Sequence, residues 1–90
     1  MKKRLVASVS GLVQGVFFRD FVKSAADRVG VSGFAKNERD GTVTVVAEGE
    51  EEGVRAVLDA CKTGSAGARV DAVSETWESP RGESSGFRIM

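Results

Sequence analysis

The chain has 90 residues, with 13 basic and 13 acidic side chains and no net charge at pH 7. That length gives one domain of modest core, and the charge balance argues against a binder of nucleic acid or anionic membrane held by bulk electrostatics, so any anion site must be local. With one cysteine and no histidine, the chain cannot form an internal disulfide, a Cys/His zinc site, or a Ser-His or Cys-His nucleophilic pair.

Met1-Lys2-Lys3-Arg4 carries the charge of a signal-peptide start, but the apolar run behind it breaks at Ser8, Ser10 and Gly11, too early for the apolar core of such a peptide. No run reaches the ~20 apolar residues of a membrane span. The expectation is a soluble cytoplasmic protein of one domain over residues 1–90, and the cysteine usage agrees with a reducing compartment.

From Arg4 to Ser10 the residues alternate, with Leu5, Ala7 and Val9 on one face, which predicts a half-buried first strand. After a glycine-containing loop, Phe18, Val22, Ala25 and Val29 recur at helical spacing, and Gly30 stands where helices favour a left-handed closing residue. Val31 to Asn37 reads as a second strand, in which Gly33 marks a bulge or a close backbone approach. Asp40-Gly41 between β-prone runs signals a hairpin leading into a third strand, Thr42 to Glu48, ended by Gly49. Glu50, Glu51 and Glu52 suit a helix N-terminus, and Val54, Val57, Leu58 and Cys61 form its apolar stripe, with Lys62 and Gly64 closing it. Val70 to Glu78 is a fourth strand stopped by Pro80; residues 79–86 read as a polar surface loop and Phe87 to Ile89 as a short terminal strand. The order β, α, β, β, α, β predicts an α+β ferredoxin-like sandwich, an antiparallel sheet with both helices on one face.

Gly11-Leu12-Val13-Gln14-Gly15-Val16-Phe17-Phe18-Arg19 joins the first strand to the first helix. Backbone N–H groups at a helix start lack intrahelical partners and carry the positive end of its dipole, Gly15 lets the chain wrap a ligand closely, and Arg19 offers a planar donor fork to two oxygens. The residue types suit an oxyanion cradle, but taken alone they suit an ordinary tight turn with a solvated Arg19 better. Asn37 stands out on the second strand because its amide can hold a water and a phosphate oxygen together, although an asparagine there also starts an Asp-Gly turn.

The Gly11 to Arg19 stretch resembles the first signature of the acylphosphatase family. Gly33-Phe34-Ala35-Lys36-Asn37, with Gly41, Val43 and Gly49 at matching spacing, resembles its second. The similarity runs from about Arg4 to Ile89 and implies the same split βαβ fold. It implies a small hydrolase, independent of metal and cofactor, that splits acyl phosphates into a carboxylate and inorganic phosphate. It further implies that Arg19 binds the phosphate with the backbone of Gln14, Gly15, Val16, Phe17 and Phe18, and that Asn37 holds the attacking water. The expected partner is a small-molecule acyl phosphate, with no nucleic acid and no membrane, and the expected state is a monomer. Glu38-Arg39-Asp40 lies in a variable part of the pattern and could tune substrate preference.

Other functions fit less well. An RNA-binding domain of this topology needs aromatic residues on strands one and three, and neither has one. A P-loop needs Lys-Ser or Lys-Thr after its second glycine, where Val16-Phe17 stand. Cys61 belongs to an apolar stripe rather than the mouth of an anion loop, and the glutamates at 50–52 are explained by a helix N-terminus better than by a cation. The remaining alternative is a non-catalytic domain of the same fold that binds an anion or a partner.

Overall fold

The computed structural model describes residues 1–83 and 86–90. Its elements are β1 (Lys2–Leu12), α1 (Phe18–Val29), β2 (Ser32–Asn37), β3 (Val43–Glu50), α2 (Glu51–Thr63), β4 (Arg69–Glu78) and β5 (Phe87–Ile89). The strands form one sheet in the order β4-β1-β3-β2-β5. The first four pair antiparallel, and β5 adds to β2 in parallel, so the sheet is mixed.

The alternation along β1 becomes the floor of the core. Leu5 pairs with Ala47, Ala7 with Val45 and Val9 with Val43, and all six side chains are buried. Phe18, Val22 and Ala26 of α1 and Val54, Val57, Leu58 and Cys61 of α2 close over them in a single cluster. Each such Val, Leu or Phe side chain contributes about 1.5–3 kcal/mol on burial, so this cluster is the main force ordering the two layers.

Tertiary packing corrects the reading of α1. The buried residue is Ala26, not Ala25, and Val29 is exposed. The helix ends in a Schellman turn, with the N–H of Gly30 donating to Asp27 and that of Val31 to Ala26, and Val31, beyond the helix, takes the core place expected of Val29. The third strand likewise does not end at Gly49. It runs on to Glu50 because Lys2 and Lys3 of β1 remain in register with Glu50 and Gly49, and α2 begins only at Glu51.

Gly33 proves to be a close approach rather than a bulge. Its φ is 144°, and a β-carbon there would lie 1.9 Å from the Val46 carbonyl oxygen of β3. The true irregularity falls in β1, where the pairing with β4 slips between Ser10 and Gly11, just before the loop.

The segment after β4 is more than a surface loop. The backbone N–H groups of Arg81, Gly82 and Glu83 donate to the buried Glu48 carboxylate at 2.8–2.9 Å, and Arg4 donates to Glu48 at 3.2 Å and to Glu83 at 3.1 Å. Residues 81–83 are thus bound to β1 and β3, the inner strands between β4 at one edge and β5 towards the other, on the sheet face opposite the helices. Ser84 and Ser85 of the expected loop lie outside the described residues.

Candidate active site

The two segments singled out in the sequence meet at one end of the sheet. Val43 of β3 pairs with Val9 of β1 on one side and with Asn37 of β2 on the other. The loop leaving β1 and the asparagine ending β2 therefore start from the same level.

The loop owes its shape to two left-handed residues, Gly15 (φ 76°) and Phe17 (φ 59°). Gly15 takes that conformation without strain, and no atom would crowd a β-carbon there, so freedom of the backbone is what the position requires. Phe17 is the N-cap of α1 and makes no side-chain cap bond. Among the described residues, no backbone N–H from Gly15 to Phe18 is paired with a protein acceptor, while the Val16 carbonyl oxygen accepts from Ser65 Oγ at 2.8 Å. The donors of the loop stay free and its opposite edge is pinned from the α2–β4 connection.

Arg19 sits in the first turn of α1, half-buried, and lines a cleft of about 250 Å³ with Val13, Gly15, Phe17, Phe18 and Asp20. Its Nη1 donates to the Met90 carbonyl oxygen at 2.9 Å. Met90 follows β5, whose Ile89 is in register with Ala35 of β2, and the Met90 N–H donates to Ala35 at 2.9 Å. The guanidinium is thereby oriented toward the β2 end of the sheet.

Asn37 lines a different, more polar cleft of about 640 Å³ with Ser8, Lys36, Arg39, Thr42 and Thr44 among its walls. Its Oδ1 is buried and has no hydrogen-bond partner among the described residues. The acidic neighbours are already engaged. Glu38 accepts from Thr44 Oγ1 at 2.8 Å, and the Thr42 hydroxyl and N–H hold the Asp40 carboxyl below its ordinary value. That leaves Asn37 with the one acceptor of this group that is buried and unpaired.

Arg19 and Asn37 thus face separate clefts, and Gln14 links their elements. Its Nε2 donates to the carbonyl oxygens of Glu38 at 2.8 Å and Thr42 at 3.0 Å, fastening the loop to the residue that follows Asn37. Reading the sequence assigned Gln14 to the loop through its backbone, so the work of its side chain was missed; a long amide in a loop of small and apolar residues was the available signal. Ser65 was missed too, and nothing in the small-residue stretch around it pointed there. Among the described residues no group of three or more His, Cys, Asp or Glu side chains is placed to hold a metal ion, and no helix is long and apolar enough to cross a membrane.

Fold and site together define a ferredoxin-like α+β protein with a glycine loop and an arginine at the start of its first helix. Residues 5–89 match the family model described as Acylphosphatase. An acylphosphatase of Caldanaerobacter subterraneus is 44% identical over 89 residues, covering 99% of both chains. One of Roseiflexus is 46% identical over 82 residues, covering 91% of this chain and 88% of its own. The crystal structure of acylphosphatase from Bacillus subtilis superposes with a TM-score of 0.90 at 37% identity, covering 100% of this chain and 99% of that one. The chain belongs to the acylphosphatase family, and it is a hydrolase of acyl phosphates.

Proposed function

We propose that the phosphoryl group of the substrate is held by Arg19 and by the backbone N–H groups of Gly15 to Phe18, and that Asn37 holds the attacking water. The 90 residues act as one domain in this reading. The observation that carries it is that Asn37 ends β2 at the level of the sheet where the loop opens, β1 and Asn37 sharing the partner Val43, with the loop N–H groups unpaired among the described residues.

The chemistry asks little more of the protein. An acyl phosphate has a carboxylate leaving group, so water need only be positioned in line while charge on the equatorial oxygens is balanced. Water oxygen bonds to phosphorus, the bond from phosphorus to the acyl oxygen breaks with its electron pair going to the carboxylate, and the water proton passes to a phosphate oxygen. Four backbone donors and a guanidinium fork suit the equatorial oxygens, and the Asn37 amide suits a water. The carboxylates nearest Asn37 are engaged by threonines, which supports the phosphate rather than a side chain as proton acceptor.

The test is Asn37→Ala assayed with benzoyl phosphate after circular dichroism has shown it folded. Turnover should fall by roughly 10² or more, the usual effect of losing one group aimed at the reacting centre, with KM little changed. Turnover at the parent rate would remove Asn37 from the water site.

A further inference from the structure

We propose that the Phe17 side chain is the contact for the acyl half of the substrate and selects aromatic acyl groups over small ones; this rests on the phosphoryl-site reading above and extends it to specificity. Phe17 is 79% exposed and sits on the cleft that Arg19 lines. Among the described residues it is also the one non-glycine residue at positive φ. A bulky aromatic in that region is an outlier that persists only where the surroundings impose it.

Here they do. The preceding residue is pinned through the Val16 carbonyl by Ser65, and the Phe17 carbonyl accepts the N–H of Phe21 at 3.0 Å as the first bond of α1. Held this way, the phenyl ring is kept out of the core, in contrast to its neighbour Phe18, which is 1% exposed. Phosphate binding needs the Phe17 backbone and makes no use of its ring. Phe21, 36% exposed, follows four residues on, the spacing that brings side chains to the same helical face. An apolar rim therefore adjoins a cationic cleft.

In-line displacement decides which half of the substrate meets that rim. The attacking and leaving oxygens lie on opposite sides of phosphorus. With water held by Asn37 in one cleft, the acyl group points into the other, where Phe17 stands. A ring facing an aromatic acyl group gains the contact that paired aromatics make, and an acetyl group gains little of it.

The experiment compares kcat/KM for benzoyl phosphate and acetyl phosphate in the parent and in Phe17→Asn, which keeps the backbone N–H and tolerates positive φ. Comparing this ratio between parent and variant cancels the intrinsic reactivity of the two acyl phosphates. Loss of the ring should lower the benzoyl-to-acetyl ratio about fivefold, and Phe17→Gly, which relieves the backbone conformation, should lower it equally. An unchanged ratio in either folded variant overturns the proposal. Calorimetric binding of non-hydrolysable β-ketophosphonates bearing phenyl or methyl separates the two readings. Phenyl discrimination that depends on Phe17, alongside Arg19→Ala and Asn37→Ala variants that turn over both acyl phosphates at the parent rate, sustains the acyl contact and refutes the phosphoryl-site reading. Discrimination that does not depend on Phe17, with both of those variants impaired, does the reverse.

Discussion

Gln14 Nε2 donates to the Glu38 carbonyl oxygen at 2.8 Å, tying the loop after β1 to the residue next to Asn37. A second bond to the Thr42 carbonyl at 3.0 Å closes the same turn from its far side, where the Glu38 N–H also donates to Thr42. One side chain thereby ties the proposed phosphoryl-binding loop to the proposed water site. Gln14→Ala should lose about 1–2 kcal/mol of stability from two partly buried bonds and lower kcat about tenfold through misplacement. Urea midpoints and steady-state kinetics on the same preparation check both; unchanged kcat in a destabilised variant would reduce Gln14 to a structural brace.

Arg19 is oriented by the Met90 carbonyl, which uses one of its five N–H donors and leaves the rest of the fork for a ligand. Arg19→Ala should lower turnover by roughly 10². Arg19→Lys should restore little of it, because an ammonium cannot supply two parallel donors to two oxygens. Phosphate binding by titration calorimetry should weaken in both variants, and full binding by the lysine variant would show that charge alone suffices.

Acid should loosen the strap across the open sheet face. The backbone N–H of Arg81, joined by those of Glu83 and Gly82 and by Arg4, holds the Glu48 carboxyl below its ordinary 4.5, against the opposing effect of burial. A lowered carboxyl contributes stability above its unfolded pKa and loses it as pH falls through the folded value, so the loss begins below 4.5. The parent should therefore lose more stability than Glu48→Gln between pH ~7 and pH ~3, measured by urea unfolding. Parallel pH profiles would rule out Glu48 as the titrating anchor.

Cys61 should be inert in the native protein. Burial in the apolar stripe of α2 pushes its thiol up to about 12, so almost no thiolate exists at neutral pH. An aromatic disulfide reagent should leave it unmodified until denaturant is added, and the rate of labelling should follow unfolding. Fast labelling in native buffer would contradict the packing.

Much of the fold was legible because it rests on local patterns. The alternation of Leu5, Ala7 and Val9 and the stripe of Val54, Val57, Leu58 and Cys61 identify their buried faces without reference to any partner. The order of elements then leaves few topologies, and the two signature stretches are contiguous in the chain, so the family was readable from them directly. Gly33 was legible as either a bulge or a close backbone approach, and the structure chose the approach, to Val46.

What the tertiary structure alone decided involves residues far apart in sequence. Gly49 stops a strand by propensity, yet β3 continues through it because β1 offers hydrogen-bond partners as far as Lys2. Glu48 looked like the end of a strand and is instead the anchor of residues 81–83, more than thirty positions away. The parallel pairing of β5 with β2, and with it the orientation of Arg19 through Met90, depends on a crossing of the sheet that no local pattern encodes. The sequence by itself determined the family to which the chain belongs, because composition and contiguous spacing are properties of the chain. How the Gly11 to Arg19 loop stands to Asn37 was decided by Gln14 and by the shared partner Val43, because hydrogen bonds between distant segments exist only once the sheet has formed.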